Sequence, residues 1–198
     1  MKISGIVCEY NPFHNGHRYH IEETRKNGAT HIIAVMSGNF VQRGDIAVLD
    51  KFIRAEIAVK SGADLVIELP VQYSLAPAEL FARGAVHLLH SLRVVDEISF
   101  GSEIGDISKL ISAAEAMAEI AESLKIREYT EMGYTYAKAV SAVLGEINPE
   151  AAEITAEPNN ILGVEYIKAI RRFSSNIQPF TVKRAGAAHD SGDTCESF

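Results

Sequence analysis

A chain of 198 residues and 21.6 kDa suffices for one domain, or one domain with a helical appendage. Hydrophobic residues make up 47% and charged residues 23%, enough for an ordinary globular core. The net charge of −7 argues against nucleic-acid binding through a generally basic surface.

No apolar run approaches the ~20 residues that span a bilayer, so no membrane association is expected. The opening Met1-Lys2-Ile3-Ser4-Gly5 lacks a signal-peptide layout, which makes a cytoplasmic protein the expectation. Cys8 and Cys195 are far apart and have no metal-ligand spacing, so neither a disulfide framework nor a zinc site is expected.

In chain order, short Ile- and Val-rich runs predict strands over Ile3–Cys8, 31–36, Leu65–Leu69, 97–100 and 178–182. Helical patterns fall between them, over 17–26, 52–60, Ala78–Ser91, 107–124, 128–143 and 160–173. Apolar strands separated by helices predict an α/β fold with a doubly wound, mainly parallel sheet. The helices from about 107 to 173 read as an insertion before the last strand. Asp50 and Asp106 are N-cap candidates, Gly62 stops the second helix, and Pro77 suits a first turn. Residues 1–190 read as one domain and 191–198 as a tail, either frayed or cut before its next element.

Ligands of such sheets lie beyond the carboxyl ends of the strands, where the strand order switches. The first strand runs into Tyr10-Asn11-Pro12-Phe13-His14-Asn15-Gly16-His17, a proline turn followed by an HxGH pattern at a helix start. Helix-start N–H groups attract phosphate, Gly16 allows close backbone approach, and imidazoles donate to developing charge. His14 and His17 are therefore the catalytic candidates. His20 lies one turn further on, facing either the same site or solvent. Cys8 reads as a packed thiol, with a nucleophile as the alternative.

Other loops carry candidates with two readings each. Arg43 and Lys51, around Ser37-Gly38-Asn39, could neutralise phosphate or simply be solvated. Asn11 fixes a turn or bonds a ligand. Gly101 clears space for a ligand or ends a strand. Glu157-Pro158-Asn159-Asn160 caps a helix or reads a base or ribose, and Arg184 could grip phosphate. Lys168, Arg171, Arg172, Lys183 and Arg184 form a basic patch or a set of solvated ends. His189-Asp190 are neighbours in sequence, which seldom lets their side chains face each other.

The segment from Gly5 to His17 resembles the N-terminal signature of the tRNA(Met) cytidine acetate ligase family, within the HxGH nucleotidyltransferases. Met36 to Gly44, Gly62 to Pro70, Phe100-Gly101-Ser102-Glu103 and Glu157 to Gly163 resemble its later blocks. The resemblance implies activation of acetate by ATP to acetyl-adenylate and pyrophosphate. The acetyl group would then pass to N4 of the wobble cytidine of elongator tRNA(Met). It implies an ATP site of Val7, Cys8, Glu9, Tyr10, Asn11, Pro12, Phe13, His14, Asn15, Gly16, His17, Arg18, Tyr19 and His20, with Gly101, Asn160 and Arg184. Mg²⁺ would be held mainly through phosphates and water, with no protein metal site. An adenylyl transferase acting on a small metabolite is the other enzyme reading, and a nucleotide-binding module without catalysis is the third.

Overall fold

The computed structural model describes residues 1–184, apart from the side chain of Arg43. The sheet consists of β1 (Ile3–Cys8), β2 (His31–Ser37), β3 (Leu65–Leu69), β4 (Glu97–Ser102) and β5 (Gln178–Lys183). All neighbours pair in parallel, in the order β3-β2-β1-β4-β5. The chain works outward from β1 to β3 and then returns to β4 beside β1. The switch in order therefore lies between β1 and β4, where a doubly wound sheet opens its crevice.

Both sheet faces are apolar because alternate residues face opposite ways. Ile33 and Val35 join Ile98, Phe100 and Leu69 in one core; Ile6, Cys8, Ile32, Ala34 and Met36 join the other. The second core is closed by α1 (Asn15–Lys26) and α2 (Lys51–Lys60), through Ile21 and Ala58. On the first face lie α3 (Val71–Ser74) and α4 (Ala78–Ser91), then α5 (Ile107–Ile120), α6 (Leu124–Glu131), α7 (Tyr136–Ile147), α8 (Pro149–Ala156) and α9 (Pro158–Arg172). A Cβ on Gly163 would stand 2.5 Å from Phe100, so glycine lets α9 lie directly on β4.

Several boundaries differ from expectation. β2 and β4 run on through Ser37 and through Gly101-Ser102, because Leu69, Val182 and Lys183 pair with them. The helix expected over 128–143 is two helices, since Gly133 at φ 93° turns the chain after α6. The short α3 and α8 were not expected, and Pro77 is the N-cap of α4 rather than its first residue. Asp50 and Asp106 do cap α2 and α5, accepting from Phe52 N at 2.8 Å and Ser108 N at 2.9 Å.

The five-residue basic patch does not form. A parallel crossover brings the end of α9 to the start of β5, at the amino rim, whereas Lys183 and Arg184 close β5 at the carboxyl rim. Lys168 pairs with Glu165 at 2.9 Å and Arg171 with Glu115 at 2.6 Å. The tail at 191–198, Cys195 and His189-Asp190 lie outside the described residues.

Candidate active site

Between β1 and α1 the chain makes a compact turn. Tyr10 is buried at φ 48°, the Asn11-Pro12 peptide is cis, and Phe13 packs beside Tyr10 at 4.9 Å between ring centroids. His14 is the N-cap of α1, its Nδ1 accepting from Gly16 N at 3.1 Å. The backbone N–H of His14 donates in turn to Nδ1 of His17 at 3.2 Å. A Cβ on Gly16 would stand 2.9 Å from the His14 ring, so any other residue would push that ring from its capping position.

This reciprocal capping fixes the chemistry of both rings. A nitrogen that accepts a backbone N–H carries its lone pair there, so the neutral ring holds its proton on Nε2. The two rings stack at 3.6 Å between centroids, and His17 also meets Tyr10 at 4.9 Å. The Nε2–H groups of both rings therefore share the N-terminus of one helix, that of His17 in the more buried ring. Burial, then the nearby charges of His14, His20 and Arg184, holds His17 down at about 3. At neutral pH it donates as an uncharged group.

Across the crevice, the loop after β4 is clasped to the start of α9. Asn160 is buried, and its Oδ1 accepts from Glu103 N at 2.9 Å and Ile104 N at 3.2 Å. Glu103 returns the contact, accepting from Asn160 N at 2.9 Å and from Asn159 Nδ2 at 2.6 Å. Two motifs far apart in sequence thus form one unit, which fixes the loop on the far side of the switch point. The carbonyl of Asn160 is committed to that clasp. Arg184 donates to Asn159 Oδ1 at 3.3 Å, and its Nε lies 4.0 Å from Glu103 Oε1. Gly101 sits beneath it, where a Cβ would touch the Arg184 stem at 3.4 Å.

The remaining sequence candidates fall into place around this frame. His20 bonds Ser99 Oγ through Nε2 at 2.8 Å, and Ser99 meets Thr24 Oγ1 at 2.7 Å, which ties α1 to β4. Burial, followed by the Arg184 charge, holds His20 at about 4. Asn11 Oδ1 accepts from Val48 N at 2.7 Å and Glu9 Oε1 from Gln42 N at 2.7 Å. Both side chains therefore fasten the β2–α2 loop to the β1 turn. Val7 packs on the sheet core, while His14, Asn15, Arg18 and Tyr19 are exposed at the start of α1. Pro12 is also exposed. Lys51 pairs with Glu68 at 2.7 Å, and the Arg43 side chain lies outside the described residues.

Cys8 is no nucleophile. Its thiol is buried against Val35 O at 3.8 Å, and burial pushes its ionisation far up. Peptide mapping after iodoacetamide at pH 8 is expected to find Cys8 unlabelled in the native protein and labelled in urea. Labelling of the native protein would reverse this assignment.

Arg54 was not anticipated. Fully buried in α2, it donates Nη1 to Glu9 O at 2.5 Å, Nη2 to Gly38 O, and Nε to Leu49 O at 3.1 Å. One guanidinium thereby holds together the loops after β1 and β2. No local signal distinguishes it from a solvated helix arginine. The same holds for Glu103, whose partners lie 56 and 57 positions away.

The depressed histidines also set a pH dependence of stability. In the unfolded chain both titrate near 6.5, whereas in the fold they resist protons until about 3 for His17 and about 4 for His20. The unfolded state therefore binds more protons below 6.5, and stability present above that pH is lost as pH falls toward the folded values. The urea midpoint is expected to decline between pH 7 and pH 4, and His20→Gln is expected to flatten that decline. An equally steep decline in the variant would remove His20 from the account.

The family model described as HIGH Nucleotidyl Transferase matches residues 1–197. The chain is 49% identical over 196 residues to the tRNA(Met) cytidine acetate ligase of Thermoanaerobacter sp. (strain X514), covering 96% of this chain and 49% of that protein. It is 44% identical over 208 residues to the tRNA(Met) cytidine acetate ligase of Clostridium botulinum (strain Langeland), covering 100% of this chain and 51% of that one. Among solved structures, Thermotoga maritima TmcAL bound with alpha-thio ATP superimposes with a TM-score of 0.88 at 43% identity, over 94% of this chain and 47% of that chain. Its apo form gives a TM-score of 0.92 at 42% identity, over 98% and 48%. The chain spans about half the length of the curated relatives it matches. With nearly every residue matched, and a histidine pair standing where β1 hands over to α1, the chain belongs to the HIGH nucleotidyl transferase family.

Proposed function

We propose that this chain carries the ATP-binding, acetate-activating centre of a tRNA(Met) cytidine acetate ligase. The observation that supports it best is the pair of Nε2–H donors left by the reciprocal cap at the N-terminus of α1, with the Arg184 charge near enough to act on His17. A carboxylate oxygen of acetate attacks the α-phosphorus of ATP, and the bond to pyrophosphate breaks. Acetate is a weak nucleophile repelled by the phosphates, so positioning and charge neutralisation carry the step.

In this reading the histidine N–H groups and the α1 N-terminus meet the phosphate oxygens that gain charge. Arg184 adds a full positive charge from the β5 side, and the clasped β4 loop keeps the crevice open. Among the described residues no cluster of three or more His, Cys, Asp or Glu is placed to hold a metal. Mg²⁺ is thus proposed to arrive with ATP, coordinated by phosphate and water, supplying charge neutralisation of the leaving group. Acetyl-adenylate then gives its acetyl group to N4 of the wobble cytidine of elongator tRNA(Met), in the cytoplasm.

Labelled acetate supplied with ATP and methionine tRNA tests the reading. Label in RNA, with pyrophosphate released, is the expected result. Label confined to small molecules would point to an adenylyl transferase, and no acetate-dependent pyrophosphate exchange would leave only nucleotide binding.

A further inference from the structure

The activation step leaves one neighbouring cavity unused. Where β2 and β3 end, Gly38, Asn39, Phe40, Glu68, Val71 and Ser74 line a space of about 190 Å³. Its wall and the histidine turn are fastened to the same group, since Arg54 binds the carbonyls of both Gly38 and Glu9. Glu68 Oε2 accepts from Lys51 Nζ at 2.7 Å. Among the described residues no hydrogen bond reaches its Oε1. That oxygen lies over Gly38, where any Cβ would collide with it, so the carboxylate rests against bare backbone. Phe40 is 43% exposed beside it.

Resting on the function proposed above, we infer that this cavity receives the acetyl acceptor, an unpaired cytosine of RNA. Glu68 would accept a hydrogen from its exocyclic amine, and Phe40 would lie against its ring. The volume is below the ~300 Å³ at which clefts for drug-sized ligands begin, which suits one base rather than a whole nucleotide. A carboxylate is the natural acceptor for cytosine N4–H, and unpaired bases are held by aromatic faces. Uracil presents an oxygen at the same place, which a carboxylate repels, so the cavity selects against it as well as for cytosine.

The arrangement also handles the proton of the transfer step. N4 forms its bond to the acetyl carbon, and the bond from that carbon to the AMP oxygen breaks, with AMP keeping the electron pair. The proton leaving N4 goes to the Glu68 carboxylate and then to water. Lys51 keeps that carboxylate oriented meanwhile.

The test uses the full protein and methionine tRNA transcripts carrying C or U at the wobble position. Two rates are followed, acetate-dependent ATP–pyrophosphate exchange and acetyl transfer to RNA, together with the affinities for both transcripts. Glu68→Gln is expected to lower transfer at least about tenfold more than it lowers exchange, and to shrink the preference for C over U by about tenfold. Phe40→Leu is expected to raise KM for the C transcript more than it lowers kcat. Equal losses of exchange and transfer in Glu68→Gln, or an unaltered C-over-U preference, would overturn the inference. If the unmodified protein shows neither exchange nor transfer, the function proposed above fails first and this inference with it. Exchange with a normal Glu68→Gln transfer rate sinks this inference alone. The exposed Lys51–Glu68 pair contributes little stability, so a collapsed fold is not expected.

Discussion

Replacing His17 by alanine is expected to slow acetate-dependent ATP–pyrophosphate exchange by ~10²–10³-fold while leaving the fold intact. The size follows from what the ring is. Its Nδ1 is committed to His14 N at 3.2 Å, so its Nε2–H is the proton available to a ligand. Burial and neighbouring charges keep it neutral, with a pKa of about 3. It packs on Tyr10 and stacks on His14, so the donor is aimed before the substrate arrives and no reorganisation is needed. The structural loss is small by comparison. Alanine removes one acceptor of the reciprocal cap, about 1 kcal/mol, which lowers the melting temperature by ~2–4 °C. His17→Gln, which can carry an N–H donor of similar reach, is expected to recover part of the rate. Exchange within about threefold of the original in His17→Ala would remove the ring from the reaction, and a loss of cooperative melting would remove the inference about chemistry.

The histidine turn was legible because its chemistry is local. An apolar strand, a proline turn and HxGH occupy consecutive residues, and the bonds of His14, Gly16 and His17 span at most three positions. The five strands were legible for a similar reason, since each gathers branched or aromatic residues within a few consecutive positions, even in the partly buried edge strands β3 and β5. Their carboxyl ends were not. Ser37, Gly101 and Ser102 read as loop residues, and only pairing with Leu69, Val182 and Lys183 makes them strand.

The α2 helix shows where pattern reading fails. Its span was legible but its inward face was not, since the apolar Phe52 and Ile53 are 74% and 49% exposed. Arg54 and Ala58, one turn apart, face inward instead. The helix is oriented by what the sheet rim needs, three donors for three loop carbonyls. That need arises only once the loops after β1 and β2 have been brought together. The same applies to Asn160, which read as a helix cap or a ligand amide. Its partner is the β4 loop, more than fifty positions upstream.

Arg54→Met is expected to destabilise the protein by about 3 kcal/mol or more, lowering the melting temperature by ~6–12 °C. Methionine fills much of the volume but donates nothing, so the carbonyls of Glu9, Gly38 and Leu49 each lose a buried donor. An unmet buried acceptor costs ~1–3 kcal/mol, and water reaching the rim offsets part of the sum. The carboxylates of Glu9, Asp50 and Glu68 stand near enough to act on the guanidinium, so its removal also leaves their charges less compensated. Lysine is the informative comparison. It restores the charge but not the planar fork, and one ammonium cannot reach three carbonyls held at the fork's separate nitrogens. Arg54→Lys is therefore expected to melt between the parent and Arg54→Met, yet to lose exchange activity by ~10²-fold, because the turn that aims the histidines loses its register against the β2 loop. Activity tracking the restored charge, with Arg54→Lys close to the parent, would show that the guanidinium acts through its field. Activity lost in Lys as in Met, despite the recovered stability, would show that it acts by holding two strand ends in one plane.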